Sequence, residues 1–494
     1  MSDDIKKPSL IQAFIPIVFL IFFLTLNVLF FGDDTLSGAN QMALIFASAI
    51  AGLIASRLGL EWKSIRKSIV KSINSAMPSI LILFLIGSLA GTWMISGVVP
   101  AMIFYGLKIL NPGIFLFASV VICALVSLAT GSSWSTIATI GIALIGIGNA
   151  MGINEGIVAG AIISGAYFGD KMSPMSDTTN LAPAVAGTDL FTHIRYMVIT
   201  TGPSMLITLI IFLVIGFTYN FDTVQTNIGE FSSVIETNFN VTPLLFLVPA
   251  LLILIIVMKV PPLPSLFAGT LLGGIFAVIF QPQIIHQITD IQGSYMLKSY
   301  IAVIKSMFGP IAITTQNAAV NELFTTNGMA GMLDTIWLII TAMVFGGVME
   351  SAGLLMRITQ SVIKFAKSTG SLVASTVATC IFFNVTASDQ YISIVVPGRM
   401  YYKTFRKMGL KPEVLSRTLE DAGTVTAPLI PWNTGGATQA RVLGVPTLSY
   451  LPFAFFNLIS PFMSIFMAAF NIKIRRLAKD EPDKTLKEED RKDY

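Results

Sequence analysis

The chain has 494 residues, of which 54% are hydrophobic and only 12% are charged, and its net charge is +4. A soluble globular domain carries roughly 25% charged residues, so the composition argues against a soluble domain and predicts an integral membrane protein that lies in the lipid bilayer. The small, dispersed net charge gives no reason to expect nucleic-acid binding. Two cysteines and two distant histidines predict no disulfide framework and no zinc or haem site, so we expect no cofactor.

Apolar runs of about 20 residues recur along the chain and predict an all-α polytopic membrane protein. The first run, Leu10–Phe31, follows Lys6 and Lys7 and is longer than the apolar core of a signal peptide, so we interpret it as the first transmembrane helix. Further helices are predicted at about 39–58, 77–98, 197–219, 241–258 and 263–280, with a short interfacial segment at 99–110.

Charges in the loops predict the orientation, because Lys and Arg concentrate on the cytoplasmic side. A basic amphipathic stretch at 63–71 therefore fits the inside, and the acidic stretch 221–240 fits the outside. This pattern places both termini in the cytoplasm. The stretch 281–330 is hard to place, since Lys298 and Lys305 argue against an outside location.

The stretch Gly165–Asn180 has the least usual sequence in the chain. Asp170, Lys171 and Asp177 lie there between apolar runs, and a charge at bilayer depth costs about 2.5–3.5 kcal/mol on insertion scales. Pro174 disfavours helix at the residue before it. We interpret the stretch as a helix that enters the membrane, unwinds and restarts, the alternative being a loop at the membrane surface. Broken helices of this kind supply ion and substrate sites in secondary transporters.

The second half of the chain repeats the first. Lys108 matches Lys364 at an offset of 256, and after one inserted residue Cys123 matches Cys380 and Pro174 matches Pro431 at an offset of 257. The near-constant offset over about ninety residues indicates an internal repeat.

The charges of the repeat indicate that its halves are inverted. The connector at 403–417 is rich in Lys and Arg, whereas its first-half counterpart, 146–160, has neither and contains Glu155. One connector then lies inside and the other outside, as in an inverted-topology repeat with its site at the midplane. Two parallel halves, or no true repeat, are the alternatives. The predicted organisation is 1–75 N-terminal helices and basic inner loop, 76–220 first repeat half, 221–330 linker with two helices, 331–472 second repeat half, and 473–494 charged cytoplasmic tail.

The repeat pairs four irregular elements, two in each half. Gly131–Trp134 corresponds to Ser388–Tyr391, and each reads as the tip of a re-entrant hairpin. Ser173–Asp177 corresponds to Ile430–Thr434, and each reads as the break of a discontinuous helix.

Oxygen donors concentrate at these tips and breaks, and hard cations such as Na+ prefer oxygen ligands. We predict a Na+ site at Asp170, Asp177 and Asp389. Lys171 and Glu420 are the predicted charge partners, with Lys171 beside Asp170. The remaining predicted ion- or substrate-binding residues are Ser132, Ser133, Gln390, Asp421, Thr426 and Asn433.

Each of these residues also has a structural interpretation. Asp170 and Lys171 could form a purely structural ion pair, and Glu420 could be an exposed charge at the inner surface. Asp389 and Asp421 could have structural roles, and the hydroxyls could serve as hydrogen-bond donors between helices.

The run FGDKMSPMSDTTNLA, within Gly165–Met197, is similar to the signature region of the NhaC-type Na+/H+ antiporter family. That family also contains Na+-linked malate/lactate antiporters. The resemblance implies a bacterial inner-membrane secondary transporter, related to the ion-transporter superfamily of inverted repeats and often dimeric. It further implies site roles for Asp170, Ser173, Asp177, Thr178, Thr179 and Asn180.

The leading hypothesis is a Na+/H+ antiporter that exports Na+ in exchange for protons by alternating access. One buried Asp can hold a proton or Na+ but not both well, which is sufficient for exchange. The alternative is a Na+- or H+-coupled carrier of an organic anion such as malate, lactate or an amino acid, with helix N-termini near Ser132 and Ser133 binding the carboxylate. No phosphate loop or nucleophile–base pair suggests an enzyme.

Overall fold

Helices make up almost the whole of the protein in a computed structural model, which describes residues 6–31, 38–218, 224–289, 291–315, 321, 324–364 and 367–477. Nine helices in these ranges are long and apolar enough to cross a membrane, or eleven spans if each of two bent pairs counts as one. The predicted polytopic, all-helical membrane protein is confirmed at this level. One pair of two-residue strands, Ile311–Ala312 (β1) and Thr325–Thr326 (β2), is antiparallel.

The first part of the chain forms nine helices in the described ranges: α1 (Leu10–Phe31), α2 (Ala39–Arg57), α3 (Trp62–Ile95), α4 (Val98–Ile109), α5 (Pro112–Thr130), α6 (Ser133–Ala150), α7 (Glu155–Met172), α8 (Asp177–Ala186) and α9 (Leu190–Thr218). The basic stretch 63–71 is not a separate element, because α3 runs without interruption through it into the apolar span. The linker forms α10 (Val224–Asn238), α11 (Pro243–Val257), α12 (Pro262–Phe280), α13 (Pro282–Ile288) and α14 (Tyr295–Phe308).

The last part contains α15 (Ala330–Ser351), α16 (Leu354–Ile363), α17 (Thr369–Thr386), α18 (Gln390–Lys407), α19 (Pro412–Leu419), α20 (Thr434–Leu443), α21 (Thr447–Phe453) and α22 (Phe455–Ala469). The helix of α19 continues as a wider π-type turn over Glu420–Thr424. Of the predicted tail 473–494, residues 478–494 lie outside the described ranges, as do 221–223 of the acidic stretch.

Buried apolar side chains form three clusters. The largest joins α3–α7 to the linker helices, the second joins α1, α2, α15 and α16, and the third surrounds α8 and α17–α19. The faces that point away from these clusters carry exposed large apolar side chains, for example on α1, α9 and α12. A helix that is apolar on both its buried and its outer face is typical of a membrane span.

The helix that carries Asp170 packs against α5 at backbone distance. A Cβ atom added at Gly165 or Gly169 of α7 would overlap the carbonyl oxygens of Val120 and Ala124 in α5. Small residues four apart allow such close approach of membrane helices. Ser127 of α5 adds a hydrogen bond of 2.6 Å to the carbonyl of Ala166, so the end of α7 is held firmly in place.

Candidate functional site

The first candidate element is the interruption between α7 and α8. The helix ends at Met172, and a new helix begins at Asp177 after four non-helical residues. Pro174 cannot donate a backbone hydrogen bond and disfavours helix at Ser173, whose backbone is extended. The sequence therefore ends one helix and starts another inside a buried region.

Side chains of the break itself hold its backbone. The Oγ of Ser173 accepts from the backbone N–H of Met175 at 3.2 Å, and Thr179 donates to the carbonyl of Lys171 at 3.0 Å. The exposed Asn180 donates to the carbonyl of Pro174 at 2.9 Å. In this structure Ser173, Thr179 and Asn180 thus order the break through backbone contacts.

Asp170 lies one turn before the break and faces the start of α6. It is 7% exposed, and its Oδ2 accepts hydrogen bonds from the backbone N–H of Ser133 at 3.1 Å and from the Ser133 hydroxyl at 2.6 Å. The N-terminus of a helix carries a partial positive charge that favours a carboxylate. The hairpin tip and the broken helix are therefore joined through one carboxylate.

A cavity of about 590 Å³ opens beside this carboxylate. Asp177 is exposed and lines it, whereas Ser133 does not line it. The predicted site residues on its wall are Ser132, Asp170, Asp177, Thr178 and Gln390. Two carboxylates and several hydroxyl or amide oxygens thus face one space.

Lys171 points away from Asp170 and forms a buried ion pair with Asp421 of the second half. Both side chains are fully buried. The Lys171 Nζ also donates to the Oγ of Ser460 at 3.1 Å, and the Oγ of Ser464 donates to the Asp421 Oδ2 at 2.6 Å. The predicted pairing of Lys171 with Asp170 is therefore wrong, because successive helical residues point in different directions.

Glu420 is fully buried, so its interpretation as an exposed inner-surface charge is wrong. Its Oε1 accepts a hydrogen bond of 3.0 Å from the Thr178 hydroxyl of the first break. No cation lies within ion-pair distance of Glu420 in the described ranges, so its predicted role as a charge partner is not seen either. Thr178–Glu420 and Lys171–Asp421 instead form two contacts between the halves.

The second hairpin tip places Asp389 at the start of α18. Its Oδ1 accepts from the backbone N–H of Ile392 at 2.9 Å, and its Oδ2 has no hydrogen-bond partner among the described residues. The preceding residue, Ser388, has a left-handed backbone with φ of 58°, as Gly131 has at the first tip with φ of 69°. Asp389 therefore caps its own helix.

The second break is organised by Asn384, which sequence reasoning missed. Its Nδ2 donates to the carbonyl of Gly423 at 2.8 Å and to the hydroxyl of Thr426 at 2.9 Å. Asn433 donates to the Asn384 Oδ1 at 3.1 Å and caps α20 through the N–H of Gly435. The predicted residues Thr426 and Asn433 thus meet in one buried amide network.

The predicted Na+ site at Asp170, Asp177 and Asp389 stays a prediction. The described residues contain no group of three or more His, Cys, Asp or Glu side chains that could hold a metal ion. Asp170 and Asp177 line one cavity, but Asp389 is turned toward its own helix N-terminus. A cation at the first break would depend on Asp170 with hydroxyl and backbone oxygens rather than on three acids.

Several further polar residues at the site were not predicted: Asn384, Ser460, Ser464, Arg417 and Tyr196. Asn384 could have been found from the repeat, because it stands 257 positions after Ser127, and each bonds an equivalent carbonyl. Ser460, Ser464 and Tyr196 contact partners that are distant in sequence, whereas Arg417 lies one helical turn before Asp421.

The region that contains these contacts also matches a known protein family. The model of the Na+/H+ antiporter family matches residues 165–472, beginning at the first residue of the stretch that contains the break. The chain belongs to the Na+/H+ antiporter family.

Curated relatives of this antiporter-family chain differ in what their names say they exchange. A Na(+)/H(+) antiporter NhaC of Alkalihalophilus pseudofirmus is 37% identical over 434 residues, covering 88% of this chain and 91% of the relative. A malate-2H(+)/Na(+)-lactate antiporter of Bacillus subtilis is 36% identical over 461 residues, covering 92% and 94%. An arginine/ornithine antiporter ArcD of Halobacterium salinarum is 34% identical over 469 residues, covering 94% and 93%. All three are named antiporters, so the chain groups with transporters rather than enzymes.

Proposed function

We propose that the protein is a Na+/H+ antiporter that exports Na+ in exchange for protons by alternating access. The observation that carries the proposal is the Asp170 carboxylate, which lies at a helix break, faces a cavity and is held by the start of α6. Family membership and the name of the NhaC relative support it.

Asp170 would hold either Na+ or a proton. A bare carboxylate away from water is unfavourable, and either cation removes that cost, so the two compete for one site. The Ser132 hydroxyl and the Asp177 carboxylate share the cavity and would complete an oxygen coordination shell. Na+ and protons are the transported substrates here, not resident cofactors.

Alternating access needs a path from each side, and two cavities reach opposite ends of α6. The 590 Å³ cavity touches its first residues, Trp134 and Ser135, whereas a second cavity of about 990 Å³ touches its last turns near Asn149. The site at Asp170 would be exposed to one cavity and then to the other.

An inverted repeat would relate the two paths. Element bounds agree at one offset of 257: α8 spans Asp177–Ala186 and α20 spans Thr434–Leu443. Caps agree as well, with Ser176 matched by Asn433. The packing is also exchanged, since α8 packs on α18 and α19 of the second half and α20 packs on α6 of the first. These agreements support the repeat, its re-entrant tips and its discontinuous helices, and the loop charges support its inversion.

The same proposal places the chain in a bacterial inner membrane with both termini in the cytoplasm. The positive-inside pattern of the loops supports the orientation. A homodimer is proposed on the resemblance to the wider transporter superfamily.

The test is transport by purified protein in sealed vesicles that contain a trapped pH dye. With a pH gradient imposed, Na+ but not choline should dissipate the gradient, and Asp170→Asn should abolish the response. Glu61→Gln removes the charge of an exposed acid at the start of α3 that makes no capping hydrogen bond, and it serves as a folded control. No Na+ response from the wild type would overturn the proposal. A response that appears only with malate and lactate, or with arginine and ornithine, would move the function to organic-substrate exchange.

A further inference from the structure

Arg417 is the least satisfied charged side chain near the buried ion pair. It is fully buried, and none of its three guanidinium nitrogens has a hydrogen-bond partner among the described residues. Its Nε lies 4.0 Å from the Oδ2 of Asp421, one helical turn later. A buried donor without a partner is unfavourable, so an acceptor that moved closer to Arg417 would lower this cost.

Asp421 is the acceptor within reach. Its Oδ1 is paired with Lys171, and its Oδ2 accepts from Ser464 while facing Arg417. Arginine offers five donors in a fork that matches a carboxylate. A small rotation of Asp421 away from Lys171 would therefore replace one cation partner by another.

Tyr196 fixes the guanidinium of Arg417 in place. The Arg417 Cζ lies 4.4 Å from the centre of the Tyr196 ring, and the Cζ of Arg475 lies 4.9 Å from that centre. The Tyr196 hydroxyl donates to the carbonyl of Lys473 at 3.2 Å. Cations near an aromatic ring are attracted by its quadrupole, so the ring holds Arg417 without taking its donors.

The last described residues of the chain complete this support. Arg475 forms an ion pair of 3.2 Å with Glu413 in the first turn of α19, and its carbonyl accepts from the N–H of Lys411 at 3.1 Å. Leu477 donates to the carbonyl of Gly409 at 2.8 Å. We call residues 473–477 the C-terminal segment. It is attached to the start of the same helix that carries Arg417.

We propose that Arg417 is a positioning residue that receives the Asp421 carboxylate when it leaves Lys171 during transport, and that Tyr196 and the C-terminal segment hold Arg417 ready for this exchange. The inference rests on the proposed antiport. It gives the segment a role in turnover rather than in ion binding.

Other groups around the pair fit this assignment. The ring of His193 is buried and bonds the Ser416 hydroxyl through Nδ1 at 2.8 Å, so it neighbours Arg417 without occupying its donors. Glu420 bonds Thr178 and is not an ion-pair partner of Arg417. Within the described ranges Asp421 is thus the acid nearest to the guanidinium.

Transport kinetics in vesicles separate this role from a purely structural one. Arg417→Gln should lower kcat for Na+/H+ exchange at least tenfold while KM for Na+ stays within twofold, and Arg417→Lys should recover part of kcat. Arg475→Ala and Glu413→Ala should each lower kcat about threefold, and the double variant should lower it no further.

A matched control comes from the same segment. The Arg476 side chain bonds Thr369 and Asn471, whereas Arg417 and Arg475 are the cations over the Tyr196 ring, so Arg476→Ala removes the same charge and leaves those two ring contacts in place. It should keep wild-type kcat. Equal losses in Arg475→Ala and Arg476→Ala, or an unchanged kcat in Arg417→Gln, would overturn the proposal.

A thermal-unfolding cycle distinguishes failure of this inference from failure of the antiport proposal, because it needs no transported ion. Arg417→Gln and Asp421→Asn should each change Tm, and the change in the double variant should differ clearly from the sum of the two single changes. Additive changes would show that the two side chains do not interact. A coupled cycle in a protein that exchanges no Na+ would keep the Arg417–Asp421 interaction but remove its proposed role in transport.

Discussion

The two halves contain broken helices with matching bounds, but the acid at the tip comes from a different element in each half. In the first half Asp170 lies on the broken helix and accepts from Ser133 at the hairpin tip. In the second half the position of Asp170 is taken by Ala427, and the acid is Asp389 at the tip itself, where it accepts from Ile392. The N-terminus of α6 therefore binds the carboxylate of Asp170 from the neighbouring broken helix, whereas the N-terminus of α18 binds the carboxylate of its own N-cap residue, Asp389.

The breaks also differ in exposure. Asp170 and Asp177 line a cavity, whereas Glu420, Asp421 and Asn433 are fully buried. A carboxylate that can reach water can exchange ions, and one that is paired and covered mainly determines which conformation is stable. In the proposed antiport, the first break would therefore bind the ion, and the second break would hold the two halves together.

Breaking the Lys171–Asp421 pair should have the largest effect. Asp421→Leu alone leaves the buried Lys171 without its partner and should cost about 3–5 kcal/mol of stability, whereas Lys171→Met should cost less because Arg417 lies within reach of the Asp421 carboxylate. The double variant should recover much of that loss, since two apolar side chains can replace a buried pair. Yield and Tm by fluorescence-detected size exclusion measure this. A double variant no more stable than Asp421→Leu would show that the ion pair does not hold the two halves together.

Neutralising Asp170 and neutralising Asp389 should affect Na+ exchange to different degrees. Asp170→Asn should weaken Na+ binding more than 100-fold, because a unit charge at about 4 Å contributes about 4 kcal/mol at an effective dielectric of 20. Asp389→Asn should leave exchange within a few-fold, because Asn is also a good N-cap. Na+-dependent dissipation of a pH gradient is the measurement, and equal losses would place Asp389 at the ion.

Replacing the residues with left-handed backbone at the two tips, Gly131 and Ser388, should change stability in opposite directions. Gly131→Ser should cost about 2 kcal/mol, since a left-handed conformation is unfavourable with a side chain and a Cβ there would lie 2.6 Å from the Cβ of Met175. Ser388→Gly should change Tm little or raise it, because it removes the same strain. A loss in both variants would mean that the Ser388 side chain itself is needed.

The smallest effect should come from the cap of the first tip. Ser132→Ala removes an acceptor for the Ser135 N–H at 3.1 Å and should cost about 1 kcal/mol, and Ser132→Asn should restore it. Tm measures the loss. If exchange falls sharply while Tm stays unchanged, Ser132 is an ion ligand and not only a cap.

Much of the framework was predictable because it depends on local signals. Apolar runs mark the spans, Pro174 and Pro431 mark the breaks, and the constant offset links the halves. The first helix was predicted at Leu10–Phe31, and the structure has the same bounds.

The contacts within the site were not predictable, because they depend on how helices rotate against each other. Adjacent residues Asp170 and Lys171 both looked like parts of one pair, yet one faces a tip of its own half and the other an acid 250 positions away. Residue type likewise does not tell where Asp389 points, and the predicted three-acid Na+ site stays a prediction.

The closeness of Lys171 and Asp421 also bears on how membrane voltage acts on transport. A potential of 100 mV does about 2.3 kcal/mol of work on each elementary charge that crosses the membrane. Two opposite charges in contact sum to zero, so a moving body that carries this pair contributes no electrical work of its own. In the proposed antiport, voltage would then act on the remaining charges of that body, among them Asp170 with its cation and the buried Arg417, so the sensitivity of turnover to potential would report their sum.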